Sequence, residues 1–170
     1  RAWELTLRSP RIGRFGQAHL AYSNQIAEQR GDITGGLICT PIGDPACDAG
    51  FNYTPVDHDQ RNTLNVGFDA HLPLRIFAST NVYYGSGFTN GGYDPPNPPA
   101  DPSYPNAYLP AHTNVDISLG KSFGESLSAS VTATNLTNHR VLLDNSLTFG
   151  GFHFNDPRQL YGEVRYRFKY

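Results

Sequence analysis

Methionine is absent from the 170 residues, tryptophan occurs once and cysteine twice. No stretch approaches the ~18 consecutive apolar residues that a membrane-spanning helix needs, and the mean hydropathy is -0.45. A transmembrane helix is therefore excluded. A transmembrane barrel is not, because its strands alternate apolar with polar residues and average out to the hydropathy of a soluble protein. Charge is scarce too: 13 Lys and Arg stand against 15 Asp and Glu, a net charge of -2. No basic patch with interleaved aromatics stands out, so nucleic acid is not an expected partner. Arg1 opens the chain without an initiator methionine, and no charged start leads into an apolar signal-peptide run. The sequence reads as a piece of a longer protein.

The motifs of catalysis and metal binding are missing as well. Gly120-Lys121-Ser122 matches the end of a phosphate-binding loop, but Val115 stands where that loop needs its first glycine. His19, His58, His71, His112, His139 and His153 are scattered, with no pair at zinc-motif spacing. No Gly-x-Ser-x-Gly elbow is present. The expectation is a protein that is not an enzyme, with no metal site and no cofactor. Cys39 and Cys47 lie in a stretch rich in Gly, Pro and Asp. They are candidates for a local disulfide in an oxidising compartment, or else two unrelated thiols.

What the sequence does contain is alternation at period two, the signature of half-buried strands. Trp3, Leu5 and Leu7 alternate with Glu4, Thr6 and Arg8, and Ala18, Leu20 and Tyr22 with Gln17, His19 and Ser23. The pattern returns at Leu64 to Leu72, Leu74 to Tyr84, Val115 to Leu119 and Leu127 to Ala133. A seventh strand ends the chain in "RQLYGEVRYRFKY". The predicted fold is all-β: an antiparallel up-and-down meander of about seven strands.

The connections are the most informative feature. Short turns are predicted near Ser9–Arg14, Leu72–Arg75 and Phe123–Glu125, and long loops at about Gln29–His58, Gly87–Thr113 and Asp144–Pro157. Short and long alternate strictly. In a meander alternate connections lie at opposite ends, so every long loop falls at one end, as in outer-membrane barrels. A lipocalin-like barrel or a β-sandwich also uses amphipathic strands, but neither predicts that asymmetry. With the carboxyl end on the short-turn side, seven strands put Arg1 at the other end, whereas single-chain bacterial barrels usually have even strand numbers. The chain is thus expected to be an open part, residues 1–170, of one larger barrel domain.

Two loop stretches are candidate ligand surfaces. "TNGGYDPPNPPADPSYPNAYLP" is dense in proline and offers Tyr93, Tyr104 and Tyr108, and "FGGFHFNDP" offers Phe152 and His153. Binding residues concentrate on loops, although such loops are as often simply solvated.

The runs "YLPAHTNVDISLGKSFG" (108–124), "TNLTNHRVLLDNSLTFGGFHFNDPRQLYGEVRYRF" (134–168) and "DHDQRNTLNVGFDAHLP" (57–73) resemble the carboxyl-terminal barrel of TonB-dependent outer-membrane receptors. The likeness is to the type with an amino-terminal carboxypeptidase-regulatory-like domain. The resemblance implies a many-stranded barrel in outer-membrane lipid, closed around a plug that lies outside this chain. It implies uptake of a scarce small-molecule or saccharide ligand of the siderophore, cobalamin or saccharide class, driven by the TonB complex. It also implies that Tyr166, Phe168 and Tyr170 form the signal that the barrel-assembly machinery reads. A passive porin, an adhesin-type barrel and a secreted soluble binding barrel are the alternatives.

Overall fold

The computed structural model describes residues 1–13, 15–29, 53–56, 58–91, 106–145 and 151–168. Seven strands form one antiparallel sheet: β1 (Ala2–Arg8), β2 (Gly16–Gln25), β5 (Asn62–Leu72), β6 (Ile76–Gly85), β7 (His112–Phe123), β8 (Leu127–Thr134) and β11 (Gln159–Tyr166). Each pairs with its sequence neighbours in the sheet, in the order β1-β2-β5-β6-β7-β8-β11. The sheet is open. β1 is hydrogen-bonded only to β2, and β11 only to β8.

Two short ladders that the sequence pattern does not announce sit in the long connections. β3 (Glu28–Gln29) pairs with β4 (Thr54–Pro55), and β9 (Leu142–Asp144) pairs with β10 (His153–Phe154). The last long connection begins earlier than the expected Asp144: β8 ends at Thr134, where its alternating pattern ends, and the connection starts at Asn135. β9, Leu142–Asp144, is therefore part of the connection and not of the seven-stranded sheet.

The short connections are built from residues suited to tight reversal. Pro73 fixes the chain after β5, and Leu74 and Arg75 take left-handed φ values of 62° and 61°. Gly124 does the same between β7 and β8 with φ 75°, a conformation glycine adopts without steric cost.

Register sorts the side chains, because directly opposed residues share a face. The row Leu7, Leu20, Val66, Val82, Val115 runs across five strands, and Leu119 continues the face to Val131 and Gly162. Lys121 is the one charged side chain among the strand positions of this face. The opposite face carries Gln17, Asn65, Asp69, Ser79, Asp116, Ser118, Thr132, Glu163 and Arg165. It is knitted by hydrogen bonds such as Thr132 Oγ1 to Ser118 Oγ (2.9 Å). Its glycines make room for rings: a Cβ on Gly67 would overlap His19, and one on Gly120 would overlap Phe77.

The apolar face is bare. Leu119 is 55% exposed, Val131 59% and Val164 74%, where a soluble barrel or sandwich would pack that face into a core. The buried apolar residues among those described are Ala70, Leu109, Ala133, Val141 and Leu142, and Leu109, Val141 and Leu142 lie in the long connections. Aromatic rings gather toward both ends of the apolar face. Trp3 and Tyr22 stand 5.0 Å apart near the long loops, and Tyr166 and Phe168 make an edge-to-face pair at 4.9 Å near the short turns. β5, β6 and β7 have 11, 10 and 12 residues, against the ~9–11 that a tilted strand needs to cross hydrocarbon.

Candidate functional site

The sheet has no core, and its buried polar groups collect at one end. Asp59, Gln60, Thr89, Asn90, His112, Asn135 and Asp144 are all less than a tenth exposed, and all lie at or beyond the long-loop ends of the strands. Polar groups buried this deeply are stable only when hydrogen-bonded, and the bonds they make hold the loops to the sheet.

Asp59, 1% exposed, accepts from the Ala27 amide (2.9 Å) and from the Tyr108 hydroxyl (3.0 Å). Its own carbonyl accepts from the Thr89 amide at 2.9 Å. One carboxylate thereby ties the first long connection to the second. Burial holds the Tyr108 phenol above its ordinary value of 10.0, so it stays a neutral donor. Asn90 joins the second connection to the third: its Oδ1 accepts from Asn145 Nδ2 at 2.7 Å, while its Nδ2 donates to the Asn106 carbonyl.

Asn135 opens the third connection in a left-handed conformation, φ 46°, which asparagine tolerates better than most residues. Its amide donates to Asp116 Oδ1 (2.9 Å), and its Nδ2 donates to the carbonyls of His139 (3.0 Å) and Asp156 (2.9 Å). The loop is folded back over the polar face as a result.

Between that loop and the sheet lies a cavity of about 400 Å³. Its floor is the polar face of four strands, with Tyr83 on β6, His112 and Asn114 on β7, Thr134 on β8, and Gln159 and Tyr161 on β11. Val141, Leu143, Asn155, Asp156 and Pro157 form the roof. Rings surround one side: Tyr83 and Phe88 lie 5.7 and 5.9 Å from His112. Beside it Gly85 leaves space that Gln60 and His112 occupy, for a Cβ there would strike both. The Tyr83 hydroxyl donates to Gln60 Oε1 at 2.6 Å. Three buried atoms here have no partner: His112 Nδ1, Asn114 Oδ1 and Gln60 Nε2. The cavity wall thus combines aromatic rings with neutral polar side chains. No group of three or more His, Cys, Asp or Glu among the described residues is placed to hold a metal ion.

Of the ligand candidates read from the sequence, the three among the described residues, Tyr108, Phe152 and His153, do not line this cavity. Tyr108 is half-buried and spends its hydroxyl on Asp59. Phe152 is 55% exposed. His153 borders a smaller hollow of about 290 Å³ with His58, Phe88, Leu143 and Asp144. Tyr93 and Tyr104, the cysteines Cys39 and Cys47, and Tyr170 lie outside the described residues. Tyr166 and Phe168 stand exposed on the apolar side of the last strand. Sequence reasoning passed over Tyr83, His112 and Asn114 because each sits in an ordinary alternating strand. The available signal was "HTNVD", which starts β7 with polar residues at both kinds of position.

An open meander with one bare apolar face, one polar face and all long loops at one end is the wall of a β-barrel, seen over part of its circumference. No protein-family profile matches the chain, and no curated protein matches it in sequence. Among solved structures it is similar to the ferric-catecholate import receptor Fiu of E. coli K12 in its closed form, at 13% identity and a TM-score of 0.68. That match takes in 98% of this chain and spans 20% of the receptor. At this identity the likeness is one of fold.

Proposed function

We propose that the chain is the carboxyl-terminal section of an outer-membrane receptor that imports a scarce nutrient with energy delivered by TonB. The observation that carries the reading is the uncovered apolar face, continuous from β1 to β11 and bounded by aromatic rings toward both ends. Water penalises such a face at roughly 25 cal/mol per Å², whereas lipid satisfies it. The unpaired edges of β1 and β11 support the rest of the reading, since hydrocarbon does not tolerate open sheet edges and further strands must close the wall. The fold likeness to an import receptor supports a transport role over a purely structural one, and the resemblance of 108–124 and 134–168 to TonB-dependent receptors supports the energy source. Siderophore, cobalamin and saccharide are the ligand classes such a receptor takes. No chemical step is assigned to it.

The test is made on the full-length protein in its native membrane. It should fractionate with the outer membrane, migrate on gels as a heat-modifiable barrel, and lose uptake when TonB is deleted. Uptake that survives loss of TonB would leave a passive porin, and recovery in the soluble fraction without detergent would refute the membrane assignment.

A further inference from the structure

Lys121 is the one charged side chain among the strand positions of the apolar face, and its role there rests on the barrel reading above. Its partners across the strands are Ile76 and Ala129, and its neighbours along β7 on the same face are Leu119 and Phe123. None of the four side chains carries a charge or an acceptor oxygen. The ion pair of Arg165 with Glu163 lies on the opposite face. The strand positions around Lys121 thus supply its ammonium with no counter-charge, and an ammonium on a lipid face is costly at mid-bilayer and nearly free of cost at the interface.

Depth along β7 places Lys121 near such an interface. Thr113, opposite Tyr84, stands at the long-loop end of the same face, and Lys121 lies eight residues beyond it. At about 3.4 Å per residue and a tilt of about 35–45°, that is roughly 19–22 Å down an apolar band about 25 Å tall. The row between Lys121 and the short turn is partly aromatic: Phe123 opposes Leu127, Leu127 opposes Tyr166, and Phe168 packs edge to face on Tyr166. The lysine points that way. Its Nζ lies 5.6 Å from the centroid of the Phe123 ring, two residues nearer the turn, within reach of cation–π attraction. A lysine stem covers apolar surface while its charged end reaches a polar layer. A second cation stands at the same rim: Arg75, exposed in the turn that packs against β7, immediately precedes Ile76, the residue opposite Lys121.

We propose that Lys121, with Arg75 at the same rim, docks the phosphodiester of a phospholipid headgroup in the leaflet at the short-turn end. The Phe123 ring holds the ammonium at the boundary, the methylene stem lies among the acyl chains, and the phosphate supplies the anion that the neighbouring strand positions lack. An ammonium bonded to a phosphate makes a charge-assisted hydrogen bond, stronger than a neutral one.

The experiment folds the full-length receptor, wild type and Lys121→Met, into two kinds of vesicle and compares their stability by urea titration. One is phosphatidylcholine, which has the phosphodiester without a net surface charge; the other is digalactosyl diacylglycerol with the same acyl chains, which has no phosphate. In phosphatidylcholine, Lys121→Met is expected to lower the folding equilibrium constant about fivefold, the scale of one basic side chain at a lipid surface. Lys121→Arg should keep the wild-type value, and Arg75→Gln should act in the same direction as Lys121→Met. In the galactolipid the order of wild type and Lys121→Met should reverse, since an unmatched ammonium there only costs stability. Greater stability of Lys121→Met in both vesicles would make the lysine a tolerated charge, and an equal loss in both would assign its role to the Phe123 ring; either result overturns the proposal. So does a wild-type advantage restored in the galactolipid by inorganic phosphate, which would make this a site for a free anion. Heat-modifiability verifies that each variant is a folded barrel. A receptor that folds in both vesicles without the reversal refutes this site and leaves the barrel reading standing, whereas failure to fold into either refutes both.

Discussion

Adjacent residues on β8 provide a sharp test of the bilayer as solvent. Val131 and Ser130 differ by one position and therefore by face: Val131 opposes Leu119 and Gly162, while Ser130 opposes Gly120 and Glu163. Replacing each in turn by lysine introduces the same side chain on the same strand, and the loss of valine's strand preference, at most about 1 kcal/mol, is smaller than the effect of the surroundings. Val131 is mid-strand and 59% exposed on the apolar face, so Val131→Lys puts an ammonium into hydrocarbon at a cost of about 2–4 kcal/mol. Ser130→Lys places the same charge on the polar face opposite Glu163, where an opposite-charge cross-strand pair contributes roughly 0.2–1 kcal/mol of stability. The two variants should differ by about 2–5 kcal/mol, with opposite signs relative to wild type. Urea-titrated folding of the full-length barrel into phospholipid vesicles, followed by intrinsic fluorescence, measures both. If the apolar face met water, Val131→Lys would change stability by no more than about 0.5 kcal/mol, as exposed substitutions do. Equal costs at the two positions would refute the assignment of faces.

Other expectations concern the terminus, a turn and a loop. Replacing Phe168 and Tyr170 together by serine should lower the amount of receptor inserted in the outer membrane while leaving ligand affinity per inserted molecule unchanged; normal insertion with weakened binding would place these rings in a binding site instead. Leu74 is 77% exposed and held at φ 62°, a conformation costing a non-glycine residue roughly 1–2 kcal/mol. Leu74→Asn should therefore raise stability by about 0.5–1 kcal/mol in the same urea titration, and a loss would show that the leucine is seated in the interface. Tyr108 is an acid whose folded-state value is raised, with burial as the main cause. Its contribution is fully present below the ordinary value of 10.0 and is lost as pH rises through the higher folded value. The melting temperature of wild type should accordingly fall toward that of Tyr108→Phe above pH 10, and parallel curves would show that folding does not raise the Tyr108 value.

The strands, their order and the segregation of long from short connections were legible in the sequence, because a strand's facing is fixed by period two and a meander needs no information beyond its neighbours. Leu64, Val66 and Phe68 announce their common face without reference to any other strand. Sequence also marked the reversals, at Pro73 and Gly124, since those residues act through their own backbone. Yet it could not say whether the apolar face was covered: Val131 reads the same in a packed core as on a lipid surface, and only the register and the open sheet showed that nothing packs on it. The loop end was equally hidden. Asp59 and Asn90 look like solvated polar residues until the strands from β2 to β11 bring three long connections together, because their partners lie 49 positions away for Tyr108 and Asp59 and 55 for Asn145 and Asn90. Local periodicity carries no trace of such distant contacts, and the cavity they enclose exists only once the sheet has set its register.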